Sequence, residues 1–161
     1  MSSDSNIRLA TRAIHGHTAD DAYGSPYPPI YNTTTFGFDS TADLLDVIDG
    51  RTRGGLYTRY GLNPTIQALE ETLAGLESAE AAWVFSSGMA ALSALFLTHG
   101  RDGIVCVGDA YGGTLELLEQ QLPGLGLRTH CLLGNESDKL DALLADGVKL
   151  VFFETPTNPT L

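Results

Sequence analysis

From Ala81 onward, short apolar runs alternate with segments of helical pattern, and no other feature of the chain restricts its fold as strongly. "AAWVF" precedes the helix-like "MAALSALFLTHG", "GIVCVG" precedes "TLELLEQQL", "LRTHCLL" precedes "SDKLDALLADG", and "KLVFF" closes the series. Runs this short suit buried strands, and the segments between them are long enough for crossover helices. The alternation predicts βαβ units, that is, an α/β fold with a parallel sheet and helices packed on it. Ligands of such sheets bind where loops leave the carboxyl ends of the strands. The segments to read for chemistry are therefore "SSGM", "GDAYGGT" and "ETPTNP".

Upstream, a helix is predicted to begin at "NPT", with Asn63 as its cap and Pro64 at its first position. Its apolar residues Ile66, Leu69, Leu73 and Leu76 fall on one face. "TADLLDVIDG" reads as a shorter helix stopped by Gly50. The first forty residues show no regular period and include the Pro- and Thr-rich "SPYPPIYNTTTF". A structureless stretch of that length seldom belongs to a self-contained domain, and an arm lying across a neighbouring subunit would explain it.

Of the 161 residues 43% are hydrophobic, enough for a substantial core. The net charge of -11 comes from 20 acidic and 9 basic residues scattered along the chain. Nucleic acid is not an expected partner, because phosphate neutralisation needs clustered Lys and Arg. No apolar stretch approaches the roughly 20 residues that cross a bilayer, and "MSSDSNIRLATR" lacks the apolar centre of a signal peptide. A cytoplasmic protein with no membrane partner is expected. Cys106 and Cys131 lie in apolar runs and read as buried strand thiols rather than a disulfide or metal site. Among His15, His17, His99 and His130, only the "HGH" pair is close in sequence, and it lies in the irregular arm; no metal site is expected. Nucleophile-elbow, Walker and dinucleotide fingerprints are absent.

Four short stretches have chemical possibilities, each with a plainer alternative. "VFSSGMAAL" sets serines and Gly88 ahead of a helix, where free N–H groups and the helix dipole favour a phosphate; a simple helix cap has the same appearance. "GLYTRYG" spaces Tyr57 and Arg59 two apart, on one side of an extended segment, as a phosphate clamp or an exposed loop. "GDAYGGT" offers Tyr111 as an aromatic plate at a strand exit, or as a tyrosine packed in a tight turn. "ETPTNP" holds Glu154 and Asn158 between prolines, beside a ligand or in a merely rigid loop.

Taken in order, "TRAIHGH", "PPIYNTTTF", "YTRYGLNPT", "LEETLAGLE", "FSSGMAAL", "GDAYGGT" and "FFETPTNPTL" resemble the N-terminal half of the Cys/Met-metabolism enzymes that use pyridoxal 5'-phosphate. That family includes cystathionine γ-synthase, cystathionine γ- and β-lyases, methionine γ-lyase and O-acetylhomoserine sulfhydrylase. The resemblance implies the fold type I, aspartate-aminotransferase-like architecture. Residues 1–60 would be an N-terminal arm reaching a neighbouring subunit's active site. Residues 61–161 would be the first part of the large cofactor-binding domain, with an incomplete, parallel-rich sheet flanked by helices. It also implies that Ser87, Gly88 and Met89 form the turn that holds the cofactor phosphate, and that Tyr57 and Arg59 reach the phosphate in the neighbouring site. By the same resemblance Tyr111 stacks on the pyridoxal ring and assists proton transfer, Asn158 lies near the ring hydroxyl, and Glu154 stands behind these contacts.

The family's chemistry uses the cofactor as an electron sink, with a lysine that anchors it and moves protons. That lysine is missing: the two lysines, Lys139 and Lys149, do not stand in its context. The resemblance thus implies part of a transsulfuration-type enzyme acting on sulfur amino acids or homoserine esters by β/γ-elimination or replacement, inactive as this chain alone. The alternatives are a pseudoenzyme or a partner subunit that lends phosphate contacts to another chain, and a stand-alone phosphate-binding domain. The implied assembly is a homo-oligomer, dimer or tetramer, or a hetero-oligomer with a lysine-bearing chain. "YGGT" after Asp109-Ala110 is closer to the cystathionine and homoserine-ester enzymes than to methionine γ-lyase, while the "LELL" that follows departs from both.

Overall fold

The computed structural model describes residues 8–16, 21 and 23–157. The chain forms two compact units, Met1–Val84 and Phe85–Leu161.

In the first unit, α1 (Leu9–His15), α2 (Thr41–Ile48) and α3 (Pro64–Glu77) are joined by extended chain and a 3-10 turn, Thr58–Tyr60. α3 starts as its sequence predicts: Asn63 Oδ1 accepts from the Thr65 N–H at 2.8 Å and Pro64 occupies the first position, where no N–H is needed. α2 is capped by Ser40, whose Oγ accepts from the Asp43 N–H, and Gly50 follows it with φ 69°. The apolar stripe of α3 is less buried than its spacing predicts. Only Ala68 is fully buried, and Leu69 and Leu73 are 50% and 37% exposed in the single chain.

Two expectations are corrected here. The first forty residues are not structureless, since α1 packs along α3 and Arg12 Nη1 donates to the Gly75 carbonyl at 3.0 Å. Seven residues with no side-chain cap show no readable period, and tertiary contact rather than local propensity holds them helical. "AAWVF" forms no strand among the described residues. The Val84 N–H donates to Glu70 Oε1 at 3.1 Å instead of a ladder, and Trp83 is 75% exposed.

The second unit holds α4 (Gly88–His99), β1 (Ile104–Val107), α5 (Gly112–Glu116), a π-helical segment (Leu117–Gln121), α6 (Leu122–Gly124), β2 (Thr129–Leu132), α7 (Ser137–Ala145) and β3 (Leu150–Phe152). The strands form a parallel sheet of order β2-β1-β3, with Cys106 in register with Cys131 and with Phe152. Strand alternation sorts β1 between two cores. Ile104 and Cys106 join Phe96, Ala110, Leu117, Leu118 and Leu122 beneath α4 to α6, whereas Val105 joins Leu132 and Val148 against Leu140 and Leu143 of α7. Helices therefore cover both faces, the layered α/β arrangement predicted. β1 connects to β2 on one side through α5 and α6, and β2 returns past β1 to β3 through α7 on the other face. The strand order thus reverses between β1 and β3, which opens a crevice at their carboxyl ends.

The cysteines differ in burial. Cys106 is fully buried, and its burial pushes the thiol up to about 11; Cys131 is exposed, contrary to the buried pair its sequence predicts. Among the described residues β2 lies at the edge of the sheet, which leaves Cys131 with less cover than Cys106 on the central strand. No described helix is long and apolar enough to cross a membrane, and no metal-binding group of His, Cys, Asp or Glu occurs among the described residues.

Candidate active site

The crevice between β1 and β3 is the site the topology selects, and three elements bring side chains to it. β1 leaves through Gly108, whose φ of 82° turns the chain as a residue with a Cβ rarely does, and delivers Tyr111 to the start of α5. β3 leaves through Phe153 and Glu154, and the following Thr155–Pro156 peptide is cis. Glu154 Oε2 accepts from the Tyr111 N–H at 2.9 Å, and Oε1 stands 3.4 Å from the Thr114 hydroxyl. The carboxylate thus ties the two strand exits together and lies at the positive end of a helix, where negative charge is favoured.

Met89, from the first turn of α4, reaches the same place: its Sδ is 3.8 Å from Thr114 Oγ1. The Tyr111 ring lies over the start of α5 because residue 113 is glycine. A Cβ there would sit 2.8 Å from the ring and 3.5 Å from Met89 Sδ. The ring is still 53% exposed, so an apolar plate faces outward beside the helix.

α4 supplies the donors. Ser87 Oγ accepts from the Ala90 N–H at 3.1 Å, and the Ser87 carbonyl accepts from the Ala91 N–H. Gly88 and Met89 occupy the first two helical positions, where N–H groups have no intrahelical acceptor, and no described residue takes their place. Nothing lies within 4 Å of where a Gly88 Cβ would be, so there is room for a group to approach the helix start. Ser87 acts here as the cap, and its backbone and hydroxyl shape the turn.

Tyr57 and Arg59 lie in the first unit. Tyr57 precedes the 3-10 turn and pairs with Thr35 in an isolated antiparallel bridge; Arg59 is exposed, with its guanidinium 4.4 Å from the Tyr57 ring centroid. The two side chains thus lie together, but around a 3-10 turn rather than on one side of the extended segment that their spacing suggests. Asn158 lies outside the described residues.

The lysines are placed otherwise. Lys149 precedes β3, at the amino edge of the sheet, and pairs with Asp102 at 2.8 Å; that hydrogen bond raises the pKa of Lys149 and lowers that of Asp102. An amine held more firmly protonated, on the far edge of the sheet from Tyr111, is ill suited to nucleophilic duty. Lys139 pairs with Glu136 at the start of α7 and is 64% exposed.

A parallel α/β unit with a helix N-terminus and an aromatic plate at its switch-point crevice has the features that could receive a ligand bearing a phosphate and a flat ring. The profile of the Cys/Met metabolism PLP-dependent enzymes matches residues 10–161, and the chain belongs to that family. It is 36% identical to the L-methionine gamma-lyase of Pseudomonas deceptionensis over 159 residues, 97% of this chain and 40% of that protein. With the cystathionine gamma-synthase of Mycobacterium tuberculosis the identity is 38% over 156 residues, 94% of this chain and 38% of that protein. A solved structure from Campylobacter jejuni carrying N'-pyridoxyl-lysine-5'-monophosphate superposes with a TM-score of 0.85 at 28% identity, covering 96% of this chain and 38% of that one. The chain thus spans about 40% of the length of the curated relatives it matches. The family depends on pyridoxal phosphate, and the fold type I architecture agrees with these neighbours.

The residues present fit part of that cofactor. The free N–H groups of Gly88 and Met89 suit its phosphate, and the exposed Tyr111 ring suits a face of the pyridine. Thr114, fully buried with a polar side chain, was not anticipated from sequence. Its signal, a threonine directly after a Gly-Gly step at a helix start, is too common to stand out.

Proposed function

We propose that this chain is the N-terminal portion of a transsulfuration-type enzyme acting on sulfur amino acids or homoserine esters, and that it binds pyridoxal phosphate without anchoring it covalently. The observation that carries the reading is the meeting of the Gly88–Met89 helix start, Tyr111 and Glu154 around one switch-point crevice in a chain of this family. Bound pyridoxal phosphate supplies an electron sink for carbanion chemistry at an amino-acid substrate. The N–H groups of Gly88 and Met89 would hold its phosphate, and Tyr111 would cover its ring and stand ready to move a proton at the tyrosine hydroxyl. Residues 1–60 form an arm that carries Tyr57 and Arg59 to the phosphate of a neighbouring subunit in a cytoplasmic oligomer. Methionine γ-lyases and cystathionine γ-synthases match at similar identity, so the "YGGT" lean toward the cystathionine and homoserine-ester enzymes gains no support from these relatives.

A second reading has its own support. Lys149 pairs with Asp102 at the opposite edge of the sheet from the crevice and Lys139 pairs with Glu136 at the start of α7, which supports a reading in which a lysine-bearing partner chain completes the site. One experiment addresses both. The chain is incubated with pyridoxal phosphate, alone and with such a partner, then reduced with borohydride and mapped by mass spectrometry. The expected adduct forms only on the partner's lysine. A dialysis-stable adduct on Lys139 or Lys149 of the chain alone would overturn the proposal.

A further inference from the structure

We infer that Asn63 is a positioning residue for the Tyr57–Arg59 pair, its buried amide fixing the loop that presents both side chains to an anion. The inference rests on the reading of Tyr57 and Arg59 as phosphate contacts. Asn63 is only 3% exposed and sits at the crossing of three backbone segments. Its Oδ1 accepts from the Thr65 N–H at 2.8 Å, while Nδ2 donates to the Tyr31 carbonyl and to Thr58 Oγ1, each at 3.0 Å. Thr58 continues the lattice. Its hydroxyl donates to the Thr33 carbonyl, and its N–H donates to the Thr34 carbonyl at 2.9 Å. Thr65 closes the lattice, accepting from the Tyr31 N–H at 2.9 Å and donating to the Pro29 carbonyl at 3.0 Å.

Tyr57 and Arg59 flank Thr58, and the loop that carries them is closed at its base by the Leu56 N–H donating to the Leu62 carbonyl at 2.9 Å. Every hydrogen bond that docks this loop on residues 29–35 is therefore made by Asn63, by its receiver Thr58 or by Thr65, apart from the Thr35–Tyr57 bridge. A helix cap needs only the Oδ1 bond. The two Nδ2 bonds are surplus to capping, and both run to the segments that set where Tyr57 and Arg59 point.

Asn63→Ser separates the two duties, since serine caps as well as asparagine but has no amide donors. The affinity for pyridoxal phosphate is measured by equilibrium dialysis on the full chain in its native assembly, with far-UV circular dichroism to confirm folding. Four proteins are compared: wild type, Asn63→Ser, the Tyr57→Phe/Arg59→Ala variant, and all three substitutions combined. Asn63→Ser should weaken binding about tenfold, the equivalent of about one lost hydrogen bond. In the background lacking both phosphate groups it should add less than about twofold, because a residue that acts through others has nothing left to position. Wild-type affinity in Asn63→Ser, or losses that multiply in the combined variant, overturn the inference. Should Asn63→Ser fail to fold, Thr58→Val removes the receiving hydroxyl and is judged by the same cycle. Wild-type affinity in Tyr57→Phe/Arg59→Ala would instead remove the phosphate reading of the pair, and the inference with it.

Discussion

Glu154 commits both carboxylate oxygens to one turn, the Tyr111 N–H at 2.9 Å and the Thr114 hydroxyl at 3.4 Å. Because Thr114 is fully buried, its hydroxyl is left with only the weak Met89 Sδ acceptor, at 3.8 Å, once the carboxylate contact is weakened. Glu154→Gln should therefore cost about 1–2 kcal/mol in urea unfolding. Thr114→Val should cost a similar amount, and the double variant less than the sum, since both lesions touch one network. A strictly additive pair would mean the contact contributes nothing. At this scale the sequence is informative where a residue's surroundings are local. Tyr111 and Gly88 stand out because strand exits and helix starts can be read from patterning. Thr114 and the second duty of Asn63 do not, because their partners lie 40 residues away at Glu154 and 32 away at Tyr31.

Among the elements, α4 shows how the second unit is held. Phe96 is fully buried and meets Phe152 of β3 edge-on, with ring centroids 5.2 Å apart, so one side chain joins helix to sheet. Phe96→Ala should destabilise by about 3–5 kcal/mol, read as a fall in thermal midpoint. A loss under about 1 kcal/mol would mean that the surrounding Leu118 and Leu122 close the cavity. The three strands and the helices after them are legible because their apolar periods are strong and the caps at Asn63 and Ser87 are residues whose side chains accept early N–H groups. Helix α1 is illegible because it is too short to show a period, and the "AAWVF" run misleads because apolar patterning reports burial preference and not the presence of a neighbouring strand. The exposure of Leu69 and Leu73 has the same origin: spacing defines a face but not what covers it.

For the molecule as a whole, charge outweighs pairing. The described ion pairs, such as Arg51–Asp46 and Arg128–Asp146, are exposed and contribute little individually, whereas 20 acidic residues face only 9 basic ones. Self-repulsion should therefore dominate the salt response. Raising NaCl from about 0.05 to about 0.5 M should increase the thermal midpoint. A decrease would show that attractive pairs govern instead. The strand order β2-β1-β3 opens the crevice at the carboxyl ends of β1 and β3. The fold is thus legible at the level of layers, while which residues meet across the crevice follows only from the register.

In the first unit, Arg59 rests on the face of its own tyrosine. On the proposed arrangement, a neighbouring subunit's phosphate does not meet an idle cation; it must lure one from an existing companion. Association then becomes an exchange, and the guanidinium's gain is reduced by the cation–π contact it gives up, about 0.5–1 kcal/mol at an exposed site. Without cofactor the exchange offers little, and with it the balance tips toward union. Cofactor and neighbour would therefore each hold the other in place, by linkage, through one swinging side chain.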